Sequence, residues 1–282
     1  MPNKSQERPL SLLLLLQLEA RVPAPKDQAE FAAEGKWVEE AELAEIFGHL
    51  EQRALAAARA KPNTLEAAKL VQDACLGGMA FLHFPPFRPG VLRELVLHAS
   101  SAAPRPACAH DGPCEQREAQ LETLRCRGNL LSRLGARVFT LLLTHHKNEA
   151  RWGRRPMGPL QVDQKSVTAE FTELLEAHAT WGMPLLCGGD PAHVGHHFFV
   201  NNDGAPWGDT GLTQRLPRLV EREMAQMGKD KAHISFTMLR RIFVDGMRES
   251  GTRGSTFERG SAMLMGNSIC EWDRTYDLNF KV

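Results

Sequence analysis

The chain contains a single tyrosine, Tyr276, close to its C-terminal end. Chains of 282 residues usually spread several tyrosines through core and surface, so a solitary one in an ordered-looking segment invites a chemical interpretation. A phenol oxygen is one of the side-chain nucleophiles that enzymes use to form covalent intermediates. Tyr276 is therefore a candidate nucleophile.

Cleavage of a phosphodiester by a side-chain oxygen requires few further groups. Cationic donors must stabilise the non-bridging oxygens as charge builds, and an acid must protonate the departing oxygen. Arginine suits the first task because its planar fork bonds two phosphate oxygens and stays protonated. No metal or cofactor is required. Residues of suitable types precede the tyrosine, namely Arg88, Lys147, Arg240 and Asn267.

The order of these residues resembles the tyrosine recombinase family, whose pattern is Arg, Lys, His-x-x-Arg, His or Trp, then Tyr. Arg88 is followed by leucines at the family's spacing of four, seven and nine residues. Met265-Gly266-Asn267-Ser268 keeps the family's distance of nine residues from Asn267 to Tyr276. The sequence around these residues is most similar to that of crypton-like recombinases of eukaryotic mobile elements, and the resemblance extends from about residue 60 to the end.

The resemblance implies DNA breaking and rejoining in site-specific recombination or integration. Tyr276 would attack the phosphate and form a 3′-phosphotyrosine, while Arg88 and Arg240 hold the non-bridging oxygens. Lys147 would be the general acid, and Asn267 would donate one hydrogen bond. The implied partner is duplex DNA, on which protomers assemble, and the implied compartment is the nucleus, where DNA resides.

Two positions depart from the family pattern. Thr237 stands where the family usually has the histidine of His-x-x-Arg, and a hydroxyl cannot take a proton near neutral pH. Asn267 replaces a histidine or tryptophan but can still donate through its amide. Three other functions therefore stay open: a catalytically decayed DNA-binding relic, a helical interaction module without a nucleic-acid role, and a type IB topoisomerase. Arg93 is the rival for the first arginine, with Glu94 available as its surface ion-pair partner.

The predicted fold is mixed and mainly α, with the small antiparallel sheet of the recombinase catalytic domain. We assign residues 1–60 to an N-terminal arm, poorly ordered through residue 36, and a linker helix, and residues 61–282 to the catalytic domain. Because 60 residues are too few for the family's separate helical domain, we interpret the chain as a truncated product or a catalytic half.

Helical spacing predicts helices over 37–60, 65–82, 212–227 and 235–248, a fifth around 171–178 and a sixth over 257–265. Asn63 with Glu66 resembles a capping box, and Pro217 predicts a kink or break. Residues 138–144 and 157–162 predict a β-hairpin across a basic tip, with four positive charges against one negative in 145–155. Residues 198–201 predict a short strand followed by a turn.

The cysteines and histidines predict no metal site. Residues 99–128 form an insertion in which Cys108, His110, Cys114 and Cys126 have ligand types that suit zinc, but their irregular spacing favours a surface loop of reduced thiols. Cys75, Cys187 and Cys270 do not complete a disulfide pattern, which fits a reducing compartment. His193, His196 and His197 are interpreted as loop and strand residues. No bilayer span is predicted, because the longest apolar run, 12–16, is far too short.

Overall fold

A computed structural model describes residues 28–98, 129–143, 157–188, 197–208 and 210–251, together with residues 261, 262 and 265. Within these residues the fold is mainly helical with one small sheet, as expected. No described helix combines the length and the apolarity that a bilayer crossing needs.

Two long helices form the centre of the core. Helix α1 (Gln28–Ala33) is short and precedes α2 (Glu40–Ala60), which buries one apolar stripe that includes Leu43, Phe47 and Leu50. Helix α3 (Leu65–Gly77) is buried on every side from residue 71 onward, as expected of a helix surrounded by other elements. The segment 28–33 was expected to belong to a poorly ordered arm, and that expectation was wrong: the segment is helical, and Arg241 lies over the ring of Phe31, 4.9 Å from its centroid.

Helix α3 begins and ends differently from the prediction. Its N-cap is Thr64, whose Oγ1 accepts a hydrogen bond from the Ala67 amide, whereas Asn63 has a left-handed φ of 62°. The helix then passes directly into a π-helical turn, π1 (Gly78–Leu82). A Cβ at Gly78 would overlap the ring of buried Phe171, so glycine is what permits this close packing.

The sheet is mixed rather than antiparallel. Helix α4 (Pro89–Arg93) leads into β1 (Leu95–His98), which pairs in parallel with β2 (Asn129–Gly135). The expected antiparallel sheet was wrong at this pair, because a long connection between the two strands allows a crossover that returns β2 in the same direction as β1. The strand order is β1-β2-β3-β4.

The predicted hairpin is confirmed. Strand β3 (Val138–Leu143) pairs antiparallel with both β2 and β4 (Met157–Val162), and Phe139 lies opposite Val162. The tip between β3 and β4, which carries Lys147, lies outside the described residues.

Helix α5 (Ala169–Ala177) is confirmed, and it continues through the π-helical turn π2 (His178–Gly182) into α6 (Met183–Leu186). Helices α7 (Gly211–Gln226) and α8 (Phe236–Glu249) are also confirmed. Pro217 lies inside α7 and does not end it. Of the predicted helix at 257–265, the described residues 261 and 262 are helical.

The segment 197–200 is held by buried side chains and is not the strand that the sequence predicted. The Gln72 amide exchanges two 2.9 Å hydrogen bonds with the Val200 backbone, and the regular pairing is reduced to one bridge between Val200 and Pro206. The turn that follows is confirmed: the Asn201 side chain accepts hydrogen bonds from the amides of Asp203 and Ala205.

His178 is a fully buried neutral imidazole. Its Nε2 lies 2.8 Å from the Phe198 carbonyl oxygen and must donate, because a carbonyl only accepts, which leaves Nδ1 as a lone pair. Burial lowers the pKa of His178 to about 4, although the bond to Phe198 acts in the opposite direction.

This pKa predicts acid sensitivity. Between the ordinary value of 6.5 and about 4, the unfolded chain binds a proton that the folded chain does not, so the free energy of unfolding falls as the pH is lowered. The His178→Gln variant lacks this titration. We expect its stability deficit relative to the native chain to shrink by up to about 3 kcal/mol between neutral pH and pH 4. Urea unfolding of both proteins across this range measures it, and a constant deficit would contradict the assignment.

Candidate functional site

Arg240 is a buried arginine on the inner face of α8. The helix begins after Ser235, whose Oγ accepts from the Met238 amide, and Leu239, Phe243 and Val244 bury its apolar face. Only 3% of the Arg240 surface is exposed, and its Nη2 donates a hydrogen bond to the carbonyl oxygen of Met265. Arg240 therefore contacts the Met-Gly-Asn-Ser segment that carries Asn267.

Thr237 occupies the first turn of α8, one helical turn before Arg240, and is exposed. Its position is the one at which the resemblance places a histidine. A hydroxyl there offers a hydrogen bond to a ligand on the surface but no basic nitrogen.

Arg88 precedes α4 and is half-buried. Its extended backbone forms the N-cap, and Phe87 just before it is fully buried. All three leucines at the family's spacing, Leu92, Leu95 and Leu97, belong to the core. This buried pattern fixes the start of α4 and so the backbone from which Arg88 projects.

The rival arginine, Arg93, has the surface ion pair that was expected of it. Its Nη2 lies 3.1 Å from Oε1 of Glu94, and its carbonyl oxygen lies 3.1 Å from Nδ1 of His197. These interactions fit the structural role that was expected of Arg93.

The turn that precedes Arg88 in the chain packs on the helix that carries Arg240. The ring of Phe81 in π1 lies 6.4 Å, edge to face, from the ring of Phe243 in α8. Arg88 follows π1 by six residues, and Arg240 lies one turn before Phe243. The apolar neighbours of both arginines, Phe87 and Leu239, belong to one hydrophobic core.

The other predicted site residues, Lys147, Asn267 and Tyr276, lie outside the described residues. The same holds for Cys108, His110, Cys114 and Cys126 in the insertion, and for Cys270, His193 and His196. Cys75 and Cys187 are free thiols. Across the described ranges, no group of three or more metal-ligating side chains is positioned to hold an ion.

Comparison of the chain with protein-family models, curated proteins and solved structures finds no match. The family resemblance therefore rests on the residues of the chain alone.

The sequence prediction missed a buried ion-pair network between α2, α3 and α7. The signal was available, because Arg215, Arg218 and Arg222 follow the helical spacing of one face of α7. Its two carboxylates, Asp73 and Glu223, sit at positions that the apolar pattern alone would assign to the core.

Proposed function

We propose that the chain breaks and rejoins duplex DNA through a 3′-phosphotyrosine at Tyr276, in site-specific recombination or integration. The observation that carries the proposal is the hydrogen bond from Arg240 to the Met265 carbonyl oxygen. It connects the second arginine of the motif to the segment that holds Asn267 two residues later. This contact supports the proposal, because a shared site requires Arg240 and Asn267 to lie close together.

The proposed reaction needs no external energy. The Tyr276 oxygen attacks phosphorus, the bond from phosphorus to the 5′-oxygen breaks, and Lys147 gives its proton to that oxygen. Arg88 and Arg240 bond the non-bridging oxygens, and Asn267 donates one further hydrogen bond. Attack by a free 5′-hydroxyl on the phosphotyrosine reverses these steps and reseals a strand.

The weak point of the proposed site is activation of the phenol. A tyrosine titrates near pH ~10, so most of it is protonated at neutral pH. Nearby guanidinium groups favour the phenolate, but Thr237 cannot accept the departing proton, which therefore passes to water. Loss of a general base lowers rates by about 10²- to 10⁴-fold, so we propose a slow enzyme.

The proposed substrate is duplex DNA in the nucleus, and protomers assemble on it because strand exchange needs more than one active site. The proposed chemistry uses no cofactor, since two arginines and a lysine supply the charge and the proton.

A trapping experiment tests the function. Duplexes of randomised sequence, nicked a few nucleotides 3′ of each possible scissile phosphate, release a short fragment on cleavage and prevent resealing. We expect a fraction of the pool, labelled on the 5′ side, to remain attached to the protein after denaturation in detergent. If DNA is retained in low salt but never becomes covalently attached, the proposed chemistry is wrong.

A second function is favoured by the exposed Thr237. If the histidine has been replaced because the chemistry decayed, the chain is a DNA-binding relic in which Arg88 and Arg240 only grip phosphate. The relic predicts salt-dependent retention without a covalent product. A helical interaction module predicts no retention at all.

The Arg240→Lys variant should lower the rate of covalent attachment about 100-fold. Lysine keeps the positive charge but lacks the planar fork that bonds two oxygens, and the loss of one preorganised donor costs roughly 10²- to 10³-fold. The matched control is Arg241→Lys, because Arg241 is adjacent and lies over the Phe31 ring, where a lysine can also sit. Equal rates for the two variants in single-turnover trapping would remove Arg240 from the site.

A further inference from the structure

Two buried carboxylates hold three arginines in fixed positions at the junction of α2, α3 and α7. Asp73 on α3 accepts hydrogen bonds from Arg215 at 2.6 and 2.7 Å and from Arg222 at 3.1 Å. Glu223 on α7 accepts from Arg53 at 2.5 Å and from Arg222 at 3.0 Å. Arg222 bridges the two carboxylates, so the five side chains form one network.

The carboxylates of the network are buried, and its arginines are partly exposed. The side chains of Asp73 and Glu223 are 3% and 0% exposed, whereas those of Arg53, Arg215 and Arg222 are 34%, 29% and 39% exposed. Burial lowers the pKa of Arg222, but the Asp73 and Glu223 carboxylates raise it by more than burial lowers it. The net shift is upward, so the group stays protonated. The negative charges face the core and the positive charges face solvent.

Positive charge exceeds negative charge on this surface. Three guanidinium groups and two carboxylates leave one excess positive charge, and exposed Arg218 on the same face of α7 adds another. On α2, His49 lies one turn before Arg53 with its Nδ1 3.6 Å from Oε2 of Glu223. A buried carboxylate restricts each arginine to one orientation, which lowers the entropy that is lost when the outer N–H groups bind an anion.

We propose that Arg53, Arg215, Arg218 and Arg222, here called the arginine face, bind the phosphate backbone of duplex DNA. Each guanidinium has five donors in a planar fork, and the bonds to the carboxylates use only one edge of Arg53 and Arg215. The outer edges suit phosphate oxygens, which accept bidentate bonds from arginine. Phosphate contacts of this kind give affinity and register without sequence preference.

The arginine face is separate from the proposed cleavage residues but uses the same partner, duplex DNA, as the proposed function. Helix α7 packs against α4, at whose N-terminal end Arg88 lies. A duplex that reaches Arg88 could therefore continue along α7. Binding by the arginine face requires no covalent chemistry, so the two proposals can fail independently.

The test compares two double variants of equal net charge on an intact mixed-sequence duplex. Arg218→Gln with Arg222→Gln removes two positive charges from the arginine face, and each buried carboxylate keeps one arginine. The control, Arg59→Gln with Lys165→Gln, removes two exposed positive charges near α5, and Glu173 keeps its bond to Arg137. Fluorescence anisotropy is measured over about 50 to 200 mM salt.

For the first double variant we expect about tenfold weaker binding and a fall of about 2 in the slope of log affinity against log salt, while the control stays near native. Equal losses in both variants, or no binding by the native chain, would overturn the proposal. If the double variant does not fold, the single variant Arg218→Gln replaces it. Among the described contacts Arg218 makes no bond to either carboxylate, so its loss should leave the network intact. Arg218→Gln should lower the slope by about 1. Covalent trapping is scored separately, so native-like trapping with an unaffected slope leaves the proposed function intact.

Discussion

The Tyr276→Phe variant is expected to form no covalent complex with nicked DNA, a loss of at least about 10⁴-fold. The substitution removes one oxygen and leaves the ring, so packing and DNA affinity should remain close to native. Tyr276 is the only tyrosine in the chain, which means that no second phenol can replace it. The measurement is single-turnover trapping on the randomised nicked pool, with DNA retention in low salt recorded in parallel.

The matched control for this prediction is Trp272→Phe, an aromatic replacement four residues earlier in the same segment. It removes more side-chain atoms than Tyr276→Phe does, and it should retain covalent attachment. If Tyr276→Phe still forms a detergent-stable product, another side chain is the nucleophile and the proposed motif is wrong.

The Lys147→Ala variant should cleave about 10²- to 10⁴-fold more slowly, because the departing 5′-oxygen then lacks an acid. Restoring the cleavage rate of this variant with a modified substrate tests the role of Lys147 as an acid more sharply than the rate loss does. When sulfur replaces the bridging 5′-oxygen, the leaving group is a thiolate, which is stable without a proton near neutral pH. The variant should then cleave at close to the native rate on the sulfur-containing substrate.

Lys165 provides the control for the lysine prediction. It follows β4, at the opposite end of the β3–β4 hairpin from the tip that carries Lys147. Lys165→Ala should cleave both substrates at native rates. A Lys147→Ala defect that persists with the sulfur substrate would show that Lys147 binds or positions DNA rather than donating the proton.

The helices were predictable because their apolar residues recur with a period that only a helix can bury on one side. Helices α2, α5, α7 and α8 lie where that spacing predicted, and Ser235 caps α8 at the predicted start. At single residues, the local sequence pattern gave a wrong prediction of the helix cap. Asn63 looked like a cap, but it adopts the left-handed conformation that asparagine tolerates, and Thr64 caps the helix.

The sheet and the polar contacts were less predictable because they depend on residues distant in sequence. The parallel pairing of β1 with β2 depends on where a long connection returns, which short-range periodicity cannot reveal. Gln72 takes the role of a neighbouring strand for Val200 across 128 positions. Asp73 and Glu223 are a further example. Their buried charges are balanced by Arg215, Arg222 and Arg53, and each of these arginines is distant in the sequence from a carboxylate with which it pairs.

For the candidate site, the sequence predicted residue types and order, and the fold adds one direct contact. Arg240 reaches the backbone two residues before Asn267, a link that spans 25 positions and that no local pattern contains. Arg88 rests on a helix start fixed by the buried leucines that the motif spacing singled out.

Tyr276 is proposed to become covalently joined to a DNA 3′-phosphate, and peptide mapping of the trapped product by mass spectrometry identifies the attached residue. We predict a nucleotide attached to the peptide that contains Tyr276, with a phosphate linking it through the 3′-oxygen. A nucleotide attached to any other side chain, or through its 5′-phosphate, would contradict the proposed reaction.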